Sequence, residues 1–313
     1  MTLASAGERR ASQQARRLSG SRKVGRISYW PFVLPALVVV SAVVVFPWAF
    51  TLWMSVSEWK VGEPYHFVGF ANYLRLLHDQ RFLQSIGRTL LYTVLSVVAP
   101  MVIGTLAALL FNEKMPARGL LRGIFVMPMM ATPVAIALVW TMMFHPQLGV
   151  LNYLLSLIGL DPQDWVFAPD TVIASLVMVE TWQWSPLVML IVLGGLASLP
   201  ADPYESARID GANAFQRFWY LTLPMILPFL LVAMTIRMID ALKSFDIIYA
   251  ITQGGPGTAS ETTNLYLYSV AFAYAEIGYG SAIAVLFFLL IVVLSLVLLH
   301  VRELSGRILG TTK

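Results

Sequence analysis

The sequence predicts an all-α membrane protein with six transmembrane helices, and three observations support that fold class. Hydrophobic residues make up 58% of the chain and charged residues only 12%, whereas about a quarter of residues are charged in an average soluble domain. Several uncharged apolar segments reach the ~20 residues that a membrane-spanning helix needs. Lysine and arginine are concentrated in alternate loops, as expected for a chain that crosses a membrane repeatedly.

The apolar segments place the spans in chain order. The first, second, third and sixth segments contain no charged residue, whereas the fourth and fifth contain ionisable side chains. Spans are expected at residues 28–57, 89–112, 123–144, 171–199, 223–248 and 277–301. A basic tail (1–27) and a short C-terminal tail (303–313) then flank a transmembrane domain of residues 28–302, and a polar loop (200–222) separates the fourth and fifth spans.

The distribution of basic residues predicts the orientation. Of the 21 Lys and Arg residues, 15 lie in the N-terminal tail, the loop after the second span, the polar loop and the C-terminal end from Arg302 onward, whereas four lie in the opposite loops. The positive-inside rule therefore places both termini and the polar loop in the cytoplasm. The Arg-rich and Ser-rich tail could instead be an organellar transit peptide, although a topology anchor is the commoner meaning.

Several function classes lack the residues that they require. The chain has no cysteine, and its four histidines show no metal-ligand spacing. A phosphate-binding loop and a catalytic motif are also absent from the sequence. We therefore expect no enzyme activity, no metal and no cofactor in this chain. The basic charge serves as an orientation signal, so nucleic-acid binding is not expected.

The polar loop contains a helix-start pattern. Asp202 is a suitable N-cap, Pro203 suits the first helical position, and Glu205 is spaced to complete a capping box. At helical spacing one apolar stripe follows, and Gly211 within it suggests that another backbone or side chain comes very close there. A helix lying on the lipid headgroups is the alternative. The stripe consists of Tyr204, Ala207, Gly211, Phe215 and Phe218.

The fourth and fifth spans carry a candidate solute pathway. Glu180 falls near the middle of the membrane, where a carboxylate must face water, a solute or a cation on a neighbouring helix. In the fifth span, charges alternate in sign every three residues from Arg237, which forms either a pathway surface or a structural ion-pair ladder. Carboxylates, an amide and flat rings suit a polyhydroxylated solute. The candidate pathway residues are Glu180, Trp182, Gln183, Trp184, Asp240, Lys243 and Asp246.

The polar loop resembles the cytoplasmic loop through which ABC importer permeases are driven by their ATPases. That family's loop reads Glu-Ala-Ala, three residues, Gly, nine residues, Ile, one residue, Leu-Pro. Here Ser206 replaces the first Ala and Leu221 replaces Ile. Residues 67–73, 240–249 and 252–257 are similar to the maltose-type carbohydrate permeases. The matching loop residues are Glu205, Ser206, Ala207, Gly211, Leu221, Leu223 and Pro224.

The resemblance implies a permease subunit in a bacterial inner membrane that forms half of a pathway for a sugar, polyol or glycoside. The implied partners are a second related permease, two ATPase subunits that bind ATP and Mg, and a periplasmic or lipid-anchored binding protein. One alternative is an ion-coupled secondary transporter with Glu180 or Asp240 as the coupling acid, although the sequence shows no inverted repeat. A membrane-embedded enzyme is the other, and it lacks a recognisable nucleophile.

Overall fold

The computed structural model describes residues 29–308, with side chains described up to residue 300. The predictions for the basic tail (1–27) and for the last five residues lie outside this range. The chain divides into two compact units, residues 1–50 and 51–313, and the sites described below lie in the second. Two short antiparallel strands, β1 (Ser57–Glu58) and β2 (His66–Phe67), lie between the first two described helices.

The α-helices of the described residues follow one another in this order: α1 (Trp30–Ser55), α2 (Ala71–His78), α3 (Gln80–Asn112), α4 (Arg118–Val126), α5 (Pro133–Met143), α6 (Val150–Leu157), α7 (Val172–Ala197), α8 (Asp202–Ile209), α9 (Ala214–Arg217), α10 (Leu223–Leu242), α11 (Asp246–Thr252), α12 (Thr263–Tyr268) and α13 (Ile277–Ile308). Among the described residues, five helical segments are long and apolar enough to span a membrane: α1, α3, α7, the continuous run Ala214–Leu242 that contains α9 and α10, and Ile277–His300 of α13. Helix α3 begins nine residues before the predicted second span, because Asp79 caps it by accepting the amides of Arg81 and Phe82.

The third predicted span is not a straight helix. Helix α4 continues into a 3₁₀ turn (Met127–Met130), and α5 then leaves at an angle of 100°. The reason is Pro133, which disfavours a helical conformation at the preceding residue, and Thr132 is accordingly extended with ψ 143°. Six spans are reached only if this bent pair counts as one.

The fifth predicted span also ends early. Helix α10 stops at Leu242, and a break precedes α11, which begins at Asp246. The carbonyl of Lys243 accepts a hydrogen bond of 2.9 Å from the side-chain amide of Asn264 on α12, so a tertiary contact satisfies this acceptor instead of a helical turn. The predicted charge ridge therefore continues as a helix only as far as Asp240, and its extension to Asp246 was wrong.

The core lies where α3, α7 and α10 pack together. Gly104 permits close packing of α3 on α7, because a Cβ atom there would lie 2.6 Å from the Cβ of Val188. Buried apolar residues of α7 and α10 complete this contact: Val188, Met189, Val192, Ile226 and Ala233. Helix α11 packs separately against α5. These contacts place the fourth-span and fifth-span charges next to each other.

Candidate functional site

A cavity of about 260 Å³ lies between α7, the break after α10 and the beginning of α5. We call it the polar cavity. Sequence reasoning missed Pro133, Ser244, Phe245 and Ile247, which also line it. Six of the seven candidate pathway residues line the polar cavity: Glu180, Gln183, Trp184, Asp240, Lys243 and Asp246.

Trp182 is the candidate that the structure places elsewhere. Its ring packs edge-on against Trp140 with a centroid distance of 5.8 Å, and 46% of the residue is exposed. The difference follows from helix geometry, because residues two positions apart point to different faces. Gln183 and Trp184, three and four residues after Glu180, share its face. Trp182 therefore does not line the polar cavity.

Glu180 is buried and fully paired. Only 3% of the residue is exposed. One carboxylate oxygen accepts a hydrogen bond of 2.7 Å from Arg237, and the other accepts one of 3.0 Å from the hydroxyl of Tyr92. A buried charge needs such partners, because removing an ion from water costs several kcal/mol. The structure thus realises the alternative in which a cation on a neighbouring helix neutralises Glu180, and it adds Tyr92, which sequence reasoning missed.

Arg237 connects three helices at this point. Its side chain is fully buried, and besides Glu180 it donates a hydrogen bond of 2.8 Å to Asp240. A weaker bond of 3.4 Å reaches the backbone carbonyl of Ser96 on α3. The guanidinium also lies 4.7 Å from the ring centroid of Trp184, within the range of a cation–π interaction. Arg237 is therefore the counter-ion of two carboxylates of the cavity wall, those of Glu180 and Asp240.

Gln183 lines the polar cavity and carries a hydrogen-bond acceptor that the chain leaves unused. The residue is 2% exposed, and its side-chain oxygen has no hydrogen-bond partner among the residues that the structure describes. Buried polar atoms in folded proteins are nearly always bonded. An acceptor of this kind, on a cavity wall, is suited to a donor that arrives from outside the chain.

The polar loop starts its first helix differently from the prediction. Asp202 is already the first residue of α8, Ala201 is the N-cap, and no side chain caps the helix. The predicted capping box of Asp202 and Glu205 was therefore wrong. Both carboxylates still lie in the first turn, where they interact favourably with the positive end of the helix dipole.

Gly211 ends a helix instead of lying within one. Its φ angle is +82°, and its amide and that of Ala212 bond back to the carbonyls of Arg208 and Ala207. This is a Schellman motif, which needs a left-handed residue after the helix and favours glycine. A Cβ atom on Gly211 would meet nothing within 4 Å. The prediction of a mid-helix glycine is therefore wrong, and the left-handed turn accounts for glycine at this position without a close approach of another backbone or side chain.

A second short helix follows and divides the predicted apolar stripe. Asn213 and Gln216 form a capping box at the beginning of α9, a pattern that was readable in the sequence. Tyr204 and Phe218 are half-buried, and the Tyr204 hydroxyl donates a hydrogen bond of 3.0 Å to Thr222. The loop's large exposed residues are instead Ile209, Phe215, Trp219 and Tyr220.

The remaining loop-motif residues lie around the junction with α10. Ser206 is exposed and Ala207 is half-buried on α8, while Leu221 lies in a π-helical turn (Phe218–Thr222). Leu223 and Pro224 are the first two residues of α10. A cavity of about 530 Å³ separates the loop from the ends of α3 and α7, and Glu205 and Arg208 line it.

A hydrogen-bonded cluster lies at the beginning of α3. The carboxylate of Asp79 accepts hydrogen bonds from the hydroxyls of Tyr266, at 2.5 Å, and Tyr279, at 2.6 Å. Burial alone would raise the pKa of Asp79, but these two bonds and the bonds from the amides of Phe82 and Arg81 hold that pKa below its ordinary value of 3.8. The cluster fixes α12 and α13 to the beginning of α3.

Known proteins resemble the chain over most of its length. Residues 100–303 match the protein family described as binding-protein-dependent transport system inner membrane component. The trehalose/maltose transport system permease protein MalF of Thermococcus litoralis is 37% identical, over 86% of this chain and 91% of that protein. The sulfoquinovosyl glycerol transport system permease protein SmoG of Agrobacterium fabrum is 34% identical, over 85% of this chain and 87% of that protein.

A solved structure shows the same fold. It is a chain in the crystal structure of a bacterial ABC transporter involved in the import of the acidic polysaccharide alginate. The TM-score is 0.76 at 24% sequence identity, and the match covers 88% of this chain and 94% of that one. The predicted all-α membrane architecture is confirmed by this likeness.

Proposed function

This chain belongs to the family of binding-protein-dependent inner-membrane transport components, and we propose that it forms half of the pathway of an ATP-driven importer for a carbohydrate-type solute. Its identification as a multi-pass ABC importer permease of the inner membrane is confirmed by family and relatives. The alternative of an ion-coupled secondary transporter has no support among them.

The free acceptor of Gln183 is the observation that carries the solute class. A sugar hydroxyl can donate to this oxygen, and the carboxylates of Asp240 and Asp246 offer further acceptors on the same cavity. The rings of Trp184 and Phe245 provide flat apolar surfaces for the C–H faces of a pyranose. Relatives named for trehalose and maltose transport support the same class.

The polar loop is the proposed contact with the ATPase. It exposes large apolar side chains, of which Ile209 is 86% exposed, and an apolar surface of this kind needs a partner. The coupling residues on this proposal are Glu205, Ser206, Ala207, Gly211, Leu221, Leu223 and Pro224. Two ATPase subunits bind ATP and Mg and hydrolyse the nucleotide, a second related permease completes the pathway, and a periplasmic or lipid-anchored binding protein delivers the solute.

This assignment requires the polar loop and both termini to be cytoplasmic. Reporter fusions after Ala201 and Lys313 should then report the cytoplasm, and fusions near Arg75, Gln163 and Thr258 the opposite side. The bias of basic residues motivates this expectation. A cytoplasmic signal from Thr258 would contradict the proposed orientation.

Uptake by the reconstituted complex tests the proposal. Vesicles containing this chain, its partner permease, the ATPase subunits and the binding protein should accumulate a glucose disaccharide only when ATP is supplied. Gln183→Leu should raise the half-saturating solute concentration about ten-fold, because a hydrogen bond to solute is lost at a site of nearly the same volume. The matched control is Gln147→Leu, an exposed glutamine outside the cavity. Uptake driven by an ion gradient without ATPase would contradict the proposal.

A further inference from the structure

Negative charges outnumber positive charges around the polar cavity, and some of these charges are paired within the chain while others are not. Three carboxylates line it, from Glu180, Asp240 and Asp246, and Lys243 is the single cation among its lining residues. Behind the wall, Arg237 supplies a second positive charge. The five groups together carry one net negative charge.

The terminal nitrogens of the buried cation are engaged within the chain, and its Nε, which has no hydrogen-bond partner among the described residues, is itself buried. Arg237 directs one terminal nitrogen to Asp240 at 2.8 Å and the other to Glu180 at 2.7 Å. Its guanidinium lies over the ring of Trp184, and the side chain is fully buried. The carboxylates of Glu180 and Asp240 thus neutralise the positive charge of Arg237 within the protein. A solute anion would have to displace one of these carboxylates to reach the guanidinium.

The accessible part of the wall is acidic. Asp246 is exposed, and its side chain has no ion-pair partner among the described residues. The side chain of Asp240 is 46% exposed although it contacts Arg237. Lys243 is the only accessible cation of the lining to oppose these two carboxylates. Like charges within a few ångströms repel more strongly in a cavity than in water.

From this arrangement we propose that the polar cavity selects electroneutral carbohydrates and rejects anionic ones such as uronic acids, with Asp240 and Asp246 as the discriminating residues. The inference rests on the proposed function and refines its solute class. Neutral hydroxyls donate to the carboxylates, as sugar-binding sites require. A solute carboxylate loses those bonds and meets two negative charges. Rejection by like charge is a common means of specificity.

Binding of two matched disaccharides tests the inference. The first is a neutral glucose disaccharide, and the second is its analogue in which one primary alcohol is oxidised to a carboxylate. Affinities are measured by calorimetry on the assembled complex in lipid nanodiscs, without the binding protein, so that only the pathway selects. We expect the anionic disaccharide to bind about ten-fold more weakly or worse than the neutral one.

Asp246→Asn should reduce that difference to about three-fold or less, because one repelling charge is removed at nearly constant volume. The melting temperature of the assembled complex, measured on the same sample, serves as the folding control. Asp170→Asn, an exposed carboxylate outside the cavity, should leave the difference unchanged. Equal or tighter binding of the anion by the wild-type complex would overturn the inference, and so would an unchanged difference in Asp246→Asn. If neither disaccharide binds to any variant at millimolar concentration, the proposed carbohydrate pathway itself fails.

Discussion

The polar cavity and the polar loop each place side chains in an environment of opposite polarity, and they differ in where those side chains find partners. At the cavity, charged groups lie in an apolar bundle, and the buried pair of Glu180 and Arg237 is satisfied by contacts within the chain. In the loop, apolar residues lie in a polar segment, and Ile209 and Phe215 remain exposed. A buried charge needs its partner within the folded chain, because folding itself removes the charge from water and that removal costs free energy. An exposed apolar side chain can remain in water at a small cost in free energy, and a partner can cover it afterwards.

The comparison separates what the chain completes alone from what it leaves to another subunit. Removing an internal partner at the cavity should therefore damage folding, whereas changing an exposed residue of the loop should damage association.

The largest effect is expected from Arg237→Met. It leaves Glu180 buried without its cation, which costs about 3–5 kcal/mol, so the purified subunit should melt at a much lower temperature or fail to accumulate. The double variant Arg237→Met with Glu180→Gln should recover most of that stability, since no unpaired buried charge remains. Thermal unfolding of both variants in detergent provides the measurement. A single variant as stable as wild type would show that the pair is dispensable.

A smaller effect is expected from Ile209→Asp in the loop. Replacing an apolar contact by a charge should weaken binding of the ATPase subunit at least about ten-fold, because burying such a side chain contributes about 1.5–3 kcal/mol. The subunit's own melting temperature should not change. Leu148→Asp is the matched control, since Leu148 is 87% exposed and lies outside the loop. Equal losses in both variants would remove the loop's special role.

Gly211→Ala should have a more modest effect on the loop. Alanine at a φ of +82° costs about 1 kcal/mol or more, which should loosen the end of α8 and lower solute-stimulated ATP hydrolysis several-fold. Gly194→Ala is the control, because that position lies within α7 and an added Cβ would meet nothing within 4 Å. Unaltered stimulation in Gly211→Ala would mean that the turn's conformation does not affect coupling.

The smallest effect concerns Asp79. Because hydrogen bonds hold its folded-state pKa below the ordinary value of 3.8, its stabilising contribution is present above that value and is lost as the pH falls through the depressed folded pKa. Asp79→Asn should thus melt a few degrees below wild type at neutral pH, and the two should converge below pH 3.8. A constant difference at all pH values would assign the effect to packing instead.

The sequence predicted the cavity residues better than the helix ends. Intramembrane charges identify Glu180 and Asp240 because such groups are rare and must be satisfied. The break after Leu242 has no local signal, since neither Gly nor Pro lies between Arg237 and Asp246, and it depends on a hydrogen bond from Asn264. The partnership of Glu180 with Tyr92, 88 residues away, is likewise a tertiary fact.

Other errors had signals that were available. The bend in the third span follows from Pro133, and the second helix of the loop follows from the capping pair Asn213 and Gln216. For the third span, apolar length predicted one straight helix where the proline indicates a bend. For the loop, helical spacing predicted one stripe where the capping residues indicate the start of a second helix. Such local rules deserve precedence over apolar length when a membrane segment is divided into helices.

The central claim is that the cavity binds the solute while the loop transmits the work of ATP, and one crossed measurement tests it directly. Solute-stimulated ATP hydrolysis is measured against solute concentration in reconstituted vesicles for wild type, Gln183→Leu and Ile209→Asp. We predict that Gln183→Leu shifts the half-saturating concentration about ten-fold with little change in the maximal rate, and that Ile209→Asp lowers the maximal rate without that shift. A shift caused by Ile209→Asp, or its absence in Gln183→Leu, would contradict the account.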